Sequence, residues 1–223
     1  KELLLQYCIV GGMPEAVNAF IDTHNLSRVR RILLRIIDEY EDDMVKYAPD
    51  SDKPHIRQCF ESIPKQMAKE NKKFQYGVMG QGKRAKEYES SINYLVNNQI
   101  VYRSFKAKEI KSPLSSCRDS DSFKLYSVDD GLLYTMLHLN YKQFVSNEDI
   151  KETLYENHIA KTLAENGFAL YYYQSDGKAE VNFVVQNRMG QIIPIELTTK
   201  TNSKAKSLSV FMKKYTVPEG YRI

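Results

Sequence analysis

Two short runs near the end of the chain, Glu180–Val185 and Ile193–Thr198, alternate apolar and polar side chains with a period of two. In the first, Val181, Phe183 and Val185 alternate with Glu180, Asn182 and Val184, which puts Glu180 and Asn182 on one face; in the second, Ile193, Ile195 and Leu197 alternate with Pro194, Glu196 and Thr198. Successive side chains of a strand point to opposite faces, so each run predicts a strand that carries two polar groups side by side. Arg188, Met189 and Gly190 between them predict the turn of a hairpin. Beyond it, Leu208, Phe211, Met212 and Tyr215 recur at helical spacing, which predicts an amphipathic helix packed on that hairpin.

The chain around this element has 223 residues, enough for one large domain or two small ones with real cores. Its 42% hydrophobic and 27% charged residues sit in the ordinary globular range. No apolar run approaches the roughly 20 residues that span a bilayer. Leu3–Val10 is short, interrupted by Gln6 and without a basic leader or cleavage site, so the expectation is a cytoplasmic chain with no membrane partner. Cys8, Cys59 and Cys117 are far apart and odd in number, which predicts reduced thiols used as small apolar fillers. Neither they nor the four scattered histidines form a ligand set, and no residue is assigned to a metal ion.

Net charge is only +4, but Lys65–Lys111 holds eleven Lys and Arg against four Glu, a local balance of +7. Ahead of it, two short helices are predicted on either side of Gly11 and Gly12, with Pro14 in the first turn of the second. Ser27 is placed as the cap of the next helix, whose apolar face runs through Val29, Ile32, Leu33, Ile36, Ile37, Tyr40, Met44 and Tyr47. Its other face begins with Arg28, Arg30, Arg31 and Arg35 and ends with Glu39, Glu41, Asp42 and Asp43. That order opposes the helix dipole, which leaves a solvated face or a partner surface as its cause.

Gly77-Val78-Met79-Gly80-Gln81-Gly82-Lys83-Arg84 nearly matches a phosphate-binding loop. Arg84 stands where a magnesium-binding hydroxyl is needed, and no buried strand precedes it, so a glycine-rich turn before a helix is the reading adopted. That helix uses Ala85, Tyr88, Ile92 and Leu95; Ile100–Tyr102 follows as a strand, then a basic segment that returns at Pro113. Helix, helix, strand, basic loop, strand is the order of a winged helix. Lys83, Arg84, Lys86, Arg103, Lys106 and Lys108 are its candidate nucleic-acid contacts, with double-stranded DNA or mere solvation left open. Ser112–Ser122 is read as a polar linker and domain boundary, Phe123–Tyr126 as a strand, Asp129 to about Leu139 as a helix, Ile150–Asn166 as a longer helix with Leu154, Ile159 and Leu163 inward, and Phe168–Tyr173 as a strand.

Several spaced motifs carry a family resemblance: Gly11-Gly12-Met13-Pro14-Glu15-Ala16-Val17; Lys73-Phe74-Gln75-Tyr76 with Arg84 and Glu87-Tyr88; Phe123-Lys124-Leu125-Tyr126 with Asp129 and Gly131-Leu132-Leu133; and Ile193-Pro194-Ile195-Glu196. In this order they resemble the C-terminal region of prokaryotic AAA-type ATPases, a domain of unknown function. The resemblance implies an α/β fold, α+β overall. It comprises a helical lid-like segment over 1–52, a winged-helix-like domain over 53–115, and a PD-(D/E)XK restriction-endonuclease-like domain over 116–223, cut short at its end. It also implies an N-terminal ATPase domain outside this chain, which would bind ATP and be a partner, and a homo-oligomer.

Mapped onto this sequence, the nuclease pattern falls on Glu156, Asn182, Glu196 and Thr198, with Asn182 in place of an aspartate and Thr198 in place of a lysine. Carboxylates hold Mg2+ in such a centre and the lysine positions the attacking water. Asn182 removes a charge and Thr198 supplies no cation, so the expectation is an inactive domain without a cofactor. Mg2+ would enter only if Glu180 and Lys200 rescued the site. The functional readings are therefore a DNA- or partner-binding module, an active nuclease with relocated ligands, or a structural oligomerisation region.

Overall fold

The computed structural model describes residues 2–80, 85–175, 180–198 and 206–223. Among them the order is α1 (Glu2–Val10), α2 (Pro14–Thr23), α3 (Leu26–Tyr47), α4 (Lys53–Met67), α5 (Ala85–Asn97), β1 (Val101–Ala107), β2 (Arg118–Ser127), α6 (Asp130–Met136), α7 (Tyr141–Ser146), α8 (Glu148–Glu165), β3 (Tyr171–Gln174), β4 (Glu180–Gln186), β5 (Ile192–Glu196), α9 (Lys206–Tyr215) and β6 (Tyr221–Arg222). The fold is mixed α/β with one six-stranded sheet, ordered β2-β1-β3-β4-β5-β6. The chain forms two compact units, Lys1–Tyr102 with Leu125–Ser146, and Arg103–Lys124 with Asn147–Ile223. These units do not follow the sequence boundaries at 52 and 115.

The first unit is helical. Val29, Leu33, Ile37 and Met44 of α3 are buried as the periodicity requires, whereas Tyr47 is 66% exposed because it lies in the last turn. The cap of α3 is Asn25 rather than Ser27: the Asn25 side chain accepts from Arg28 N at 3.1 Å, and Ser27 already lies inside the helix. Pro64 lies within α4, which continues to Met67. Gly11 and Gly12 break the chain between α1 and α2, and Asp129 occupies the break. Its Oδ2 accepts from Gly12 N at 2.6 Å and its Oδ1 from Leu132 N at 2.9 Å, so one buried carboxylate caps α6 and ties down the turn. A Cβ on Gly11, at φ +72°, would come to 2.2 Å of Asp129 Oδ1; one on Gly131 would come to 2.7 Å of the Val10 carbonyl. Only glycine permits both approaches.

In the second unit α8, β3, β4, β5, α9 and β6 follow one another, with β3·β4 and β4·β5 antiparallel and β5·β6 parallel. The hairpin expected from the alternation is β4–β5, in register Phe183 with Ile195 and Val184 with Pro194, and the residues read as the opening of a further strand form β6. Val184 departs from simple alternation. It joins Val181, Tyr171, Tyr173 and Phe211 in the core, and the register shifts opposite it, between Tyr171 and Tyr173. The helix after the hairpin is α9, whose Phe211 and Tyr215 pack edge-on to Tyr173 with ring centres 5.1 and 5.5 Å apart.

Two expectations change here. Ser112–Ser122 is not a linker: Leu114–Cys117 forms a 3-10 turn and Arg118 already begins β2. Nor is Arg103–Lys106 a loop, because β1 runs to Ala107 and pairs in parallel with β3 at Phe105 with Tyr171 and Lys106 with Tyr172. The helix-helix-strand-strand order of a winged helix is present in α4, α5, β1 and β2. Its strands, however, are built into the larger sheet rather than standing free as a wing.

Candidate functional site

The polar face of the β4–β5 hairpin meets a helix that buries the wrong kind of residue. Along α8, Leu154 is buried as expected, but so are Thr153, Glu156, Asn157, Ala160 and Lys161, while Ile159 and Leu163 are only half-buried. Glu156 is 1% exposed. An ionised carboxylate so placed needs a countercharge and hydrogen bonds, and the structure supplies both from distant parts of the chain.

Lys124, in β2 and also 1% exposed, places its Nζ 3.2 Å from Glu156 Oε1 and 2.5 Å from Glu180 Oε1 in β4. The ammonium also lies 5.0 Å from the ring centre of Tyr172. Burial works against the Lys124 charge, but the carboxylates of Glu156 and then Glu180, with their hydrogen bonds, outweigh it and raise its pKa above the ordinary lysine value. Burial pushes the Tyr172 phenol up to about 12, with Lys124 pulling the other way. The Tyr172 hydroxyl is itself buried without a hydrogen-bond partner.

Asn182 completes the network. Its Nδ2 donates to Glu156 Oε2 at 3.2 Å and its Oδ1 accepts from Leu197 N at 2.9 Å. The backbone donor at Leu197 fixes which way the amide faces, so the carbonyl oxygen that a metal could have used is spent on the chain itself. One step along the register from Phe183 and Ile195 sets Glu196 opposite Asn182, and there Glu196 Oε2 accepts from Arg222 Nε at 3.1 Å. Thr198 is half-buried, with its amide donating to Ile223 O at 2.9 Å.

Of the four nuclease-pattern positions, the structure therefore joins Glu156 to Asn182, sets Glu196 on the adjoining strand, and leaves Thr198 two residues beyond it. Glu180, the expected substitute ligand, is instead an ion-pair partner of Lys124. Lys200 lies outside the described residues. A divalent ion does not fit this set: Glu156 uses one oxygen on an ammonium and the other on an amide donor, and Glu180 and Glu196 each face a cation. Among the described residues, no group of three or more His, Cys, Asp or Glu comes together as a metal site.

Sequence reasoning missed Lys124, although it stands in the Phe123–Tyr126 run. The available signal was a lysine flanked on both sides by apolar residues in a strand, a position that burial tolerates only with carboxylates nearby.

The nucleic-acid candidates are divided. Lys83 and Arg84 lie outside the described residues. Lys86 is exposed at the start of α5 in the first unit, while Arg103, Lys106 and Lys108 belong to the second. Arg103 and Arg118 both lie 4.7 Å from the ring centre of Phe105, and Lys108 pairs with Asp119 at 3.6 Å. The three cysteines are free and buried, with burial pushing the Cys59 thiol up to about 12. Among the described residues no helix is long and apolar enough to cross a membrane.

A family model described as domain of unknown function (DUF8612) matches residues 1–143. The chain belongs to this family. A second model, domain of unknown function (DUF4143), matches residues 151–223. The DUF8612 match thus covers the helical unit as far as the start of α7 and the strands β1 and β2, including Lys124. The DUF4143 match covers α8 from its second turn onward through β6, and so Glu156, Glu180, Asn182 and Glu196. No curated protein and no solved structure matches the chain.

Proposed function

We propose that this chain is the non-ATPase, C-terminal part of a prokaryotic AAA-type ATPase. In this reading it is a binding module whose restriction-endonuclease-like portion is kept as a scaffold and no longer cuts. The ATPase assignment rests on the ordered motifs from Gly11 to Glu196. The order helix, three antiparallel strands, helix and parallel strand over 148–223 supports the nuclease-like portion.

The Lys124–Glu156–Glu180 triad carries the inactive reading. A water-activating lysine must reach the scissile phosphate, and an ammonium that is 1% exposed cannot touch a polymer backbone. The carboxylates it holds are thereby withdrawn from metal chemistry. Lys86 and Lys108, both exposed, with the rest of the +7 span, make double-stranded DNA the first partner to test.

Two assays on the intact chain decide the reading. Incubation with duplex and single-stranded DNA in Mg2+ and in Mn2+ is expected to leave the substrates whole; cutting that disappears in Glu196→Ala would contradict the inactive assignment. Duplex binding that weakens steeply with salt, and weakens further in a Lys86→Ala, Lys108→Ala variant, supports the DNA-binding role. Absence of binding at low salt removes DNA as the partner.

A further inference from the structure

The reversed charge order of α3 has no explanation within the helix. Its first turn holds no acidic residue and includes Arg28, where the dipole is already positive, while Asp42 and Asp43 approach the end where it is negative. Val29, Leu33, Ile37 and Met44 turn one face of α3 inward. On the opposite face Arg28, Arg31, Arg35, Asp38 and Asp42 follow at intervals of three and four, and all five are exposed. They form one stripe about 20 Å long, basic in its first half and acidic in its second.

Little within the chain uses this stripe. Arg35 pairs with Glu15 and Glu39 through exposed side chains, and a guanidinium has donors enough for a further carboxylate. Among the described residues Arg28, Arg31 and Asp38 form no ion pair, and Asp42 only adds to the field around Arg57. Yet the stripe is complementary to itself. Turned end for end about a two-fold axis between Arg35 and Asp38, it sets Arg35 of each copy against Asp38 of the other, and Arg31 against Asp42. A parallel arrangement in register sets like charge against like. Spacing of three and four is also the pattern by which two helices pack side by side at a shallow angle. Lys46, the cation in the acidic half, lies beyond this overlap, with its Nζ 4.9 Å from the ring centre of Tyr47.

We infer that the exposed stripe of α3 is the contact face of an antiparallel dimer whose partner is a second copy of this chain. Antiparallel pairing brings the C-terminal end of one helix beside the basic end of the other, so the dipole that disfavours the order within one copy is offset by its neighbour. The face is charged, with Leu34 at its margin 36% exposed, and exposed ion pairs individually contribute little. The dimer is therefore weak, with a dissociation constant of about 10–300 µM, and it loosens with salt.

Sedimentation equilibrium of the intact chain over about 5–500 µM protein tests this. A monomer–dimer equilibrium is expected at about 50 mM NaCl, weakened at least about tenfold at about 500 mM. Arg31→Glu with Arg35→Glu makes the stripe acidic over the overlap, and Asp38→Lys with Asp42→Lys makes it basic. Each double variant should be monomeric alone, because every facing pair then carries like charge, and an equimolar mixture should form a one-to-one heterodimer within about threefold of the wild-type affinity. A wild type that stays monomeric at low salt would overturn the inference and leave the stripe to solvent or to a different protein. Dimers indifferent to salt, double variants that self-associate as the wild type does, or a mixture that does not pair would overturn it as well. Should a variant not fold, the salt dependence of the wild type still decides.

Discussion

Each unit of this molecule buries a carboxylate at a junction of its elements, and the two are stabilised by opposite means. In the helical unit Asp129 is held by backbone amides, from Gly12 and Leu132, at a place where glycine lets the chain come close. In the sheet unit Glu156 is held by side chains, Lys124 and Asn182, brought in from β2 and β4. The first arrangement uses partial charges that folding of the turn creates anyway. The second uses a full charge that must itself be stripped of water, so it is costly to build and more costly to break. The difference predicts that the sheet unit depends on one distant residue, whereas the helical unit depends on local backbone geometry.

Breaking the ion triad should have the largest effect. Lys124→Met removes the ammonium shared by Glu156 and Glu180 and is expected to cost about 3–5 kcal/mol. The loss should be concentrated in the sheet unit, read as lost hydrogen-exchange protection in α8 and β4 with α1 and α2 retained. The sign of its pH dependence follows from the raised Lys124 pKa. The contribution is present in full below the unfolded lysine value of about 10.4 and is lost as pH rises through the higher folded value. Wild type and Lys124→Met should therefore differ by a constant amount from neutral pH to about pH 9 and converge only in strong alkali. Convergence between neutral pH and about pH 9 instead would contradict a raised Lys124 pKa.

Next in size is Gly11→Ala, which forces a Cβ to 2.2 Å from Asp129 Oδ1 at a φ of +72° and should cost about 2–3 kcal/mol, now in the helical unit. Asp129→Asn keeps the shape but turns one acceptor into a donor facing an amide; a loss of about 1–2 kcal/mol by chemical denaturation is expected. The smallest effect belongs to Tyr172→Phe. Because its hydroxyl is buried without a partner, removing it should change stability by less than about 0.5 kcal/mol or raise it slightly. A large loss would mean that the phenol is a working member of the triad's surroundings.

How much of this could be read from the sequence follows the same contrast. The Gly11-Gly12 break, Pro14 in the first turn of α2, the start of α6 at Asp129, the β4–β5 hairpin and α9 were all legible, because each is encoded by neighbours a few residues apart. Glu156, Asn182 and Glu196 were legible as positions, and the structure brings Glu156 and Asn182 into contact. Their chemistry was not legible. Lys124 is 32 residues from Glu156 and 56 from Glu180, and no local pattern announces that a β2 lysine will cross Tyr172 to reach them. The inward face of α8 was misread for the same reason: its buried residues are polar, so apolar periodicity pointed to Ile159 and Leu163, which are half-buried. The extent of β1 and β2 was missed because their charged ends, Arg103 to Lys106 and Arg118 to Asp121, look like loop until a sheet neighbour pairs with them.

In the reading proposed above, the protein's own cations neutralise the carboxylate face of the sheet unit and leave no open ligand set for a divalent ion. Isothermal titration of Mn2+ into the intact wild-type chain at low ionic strength tests it most directly. No stoichiometric site is expected, with the same baseline in Glu156→Gln and Glu196→Gln. One ion bound per chain in the wild type, lost in either variant, would contradict it.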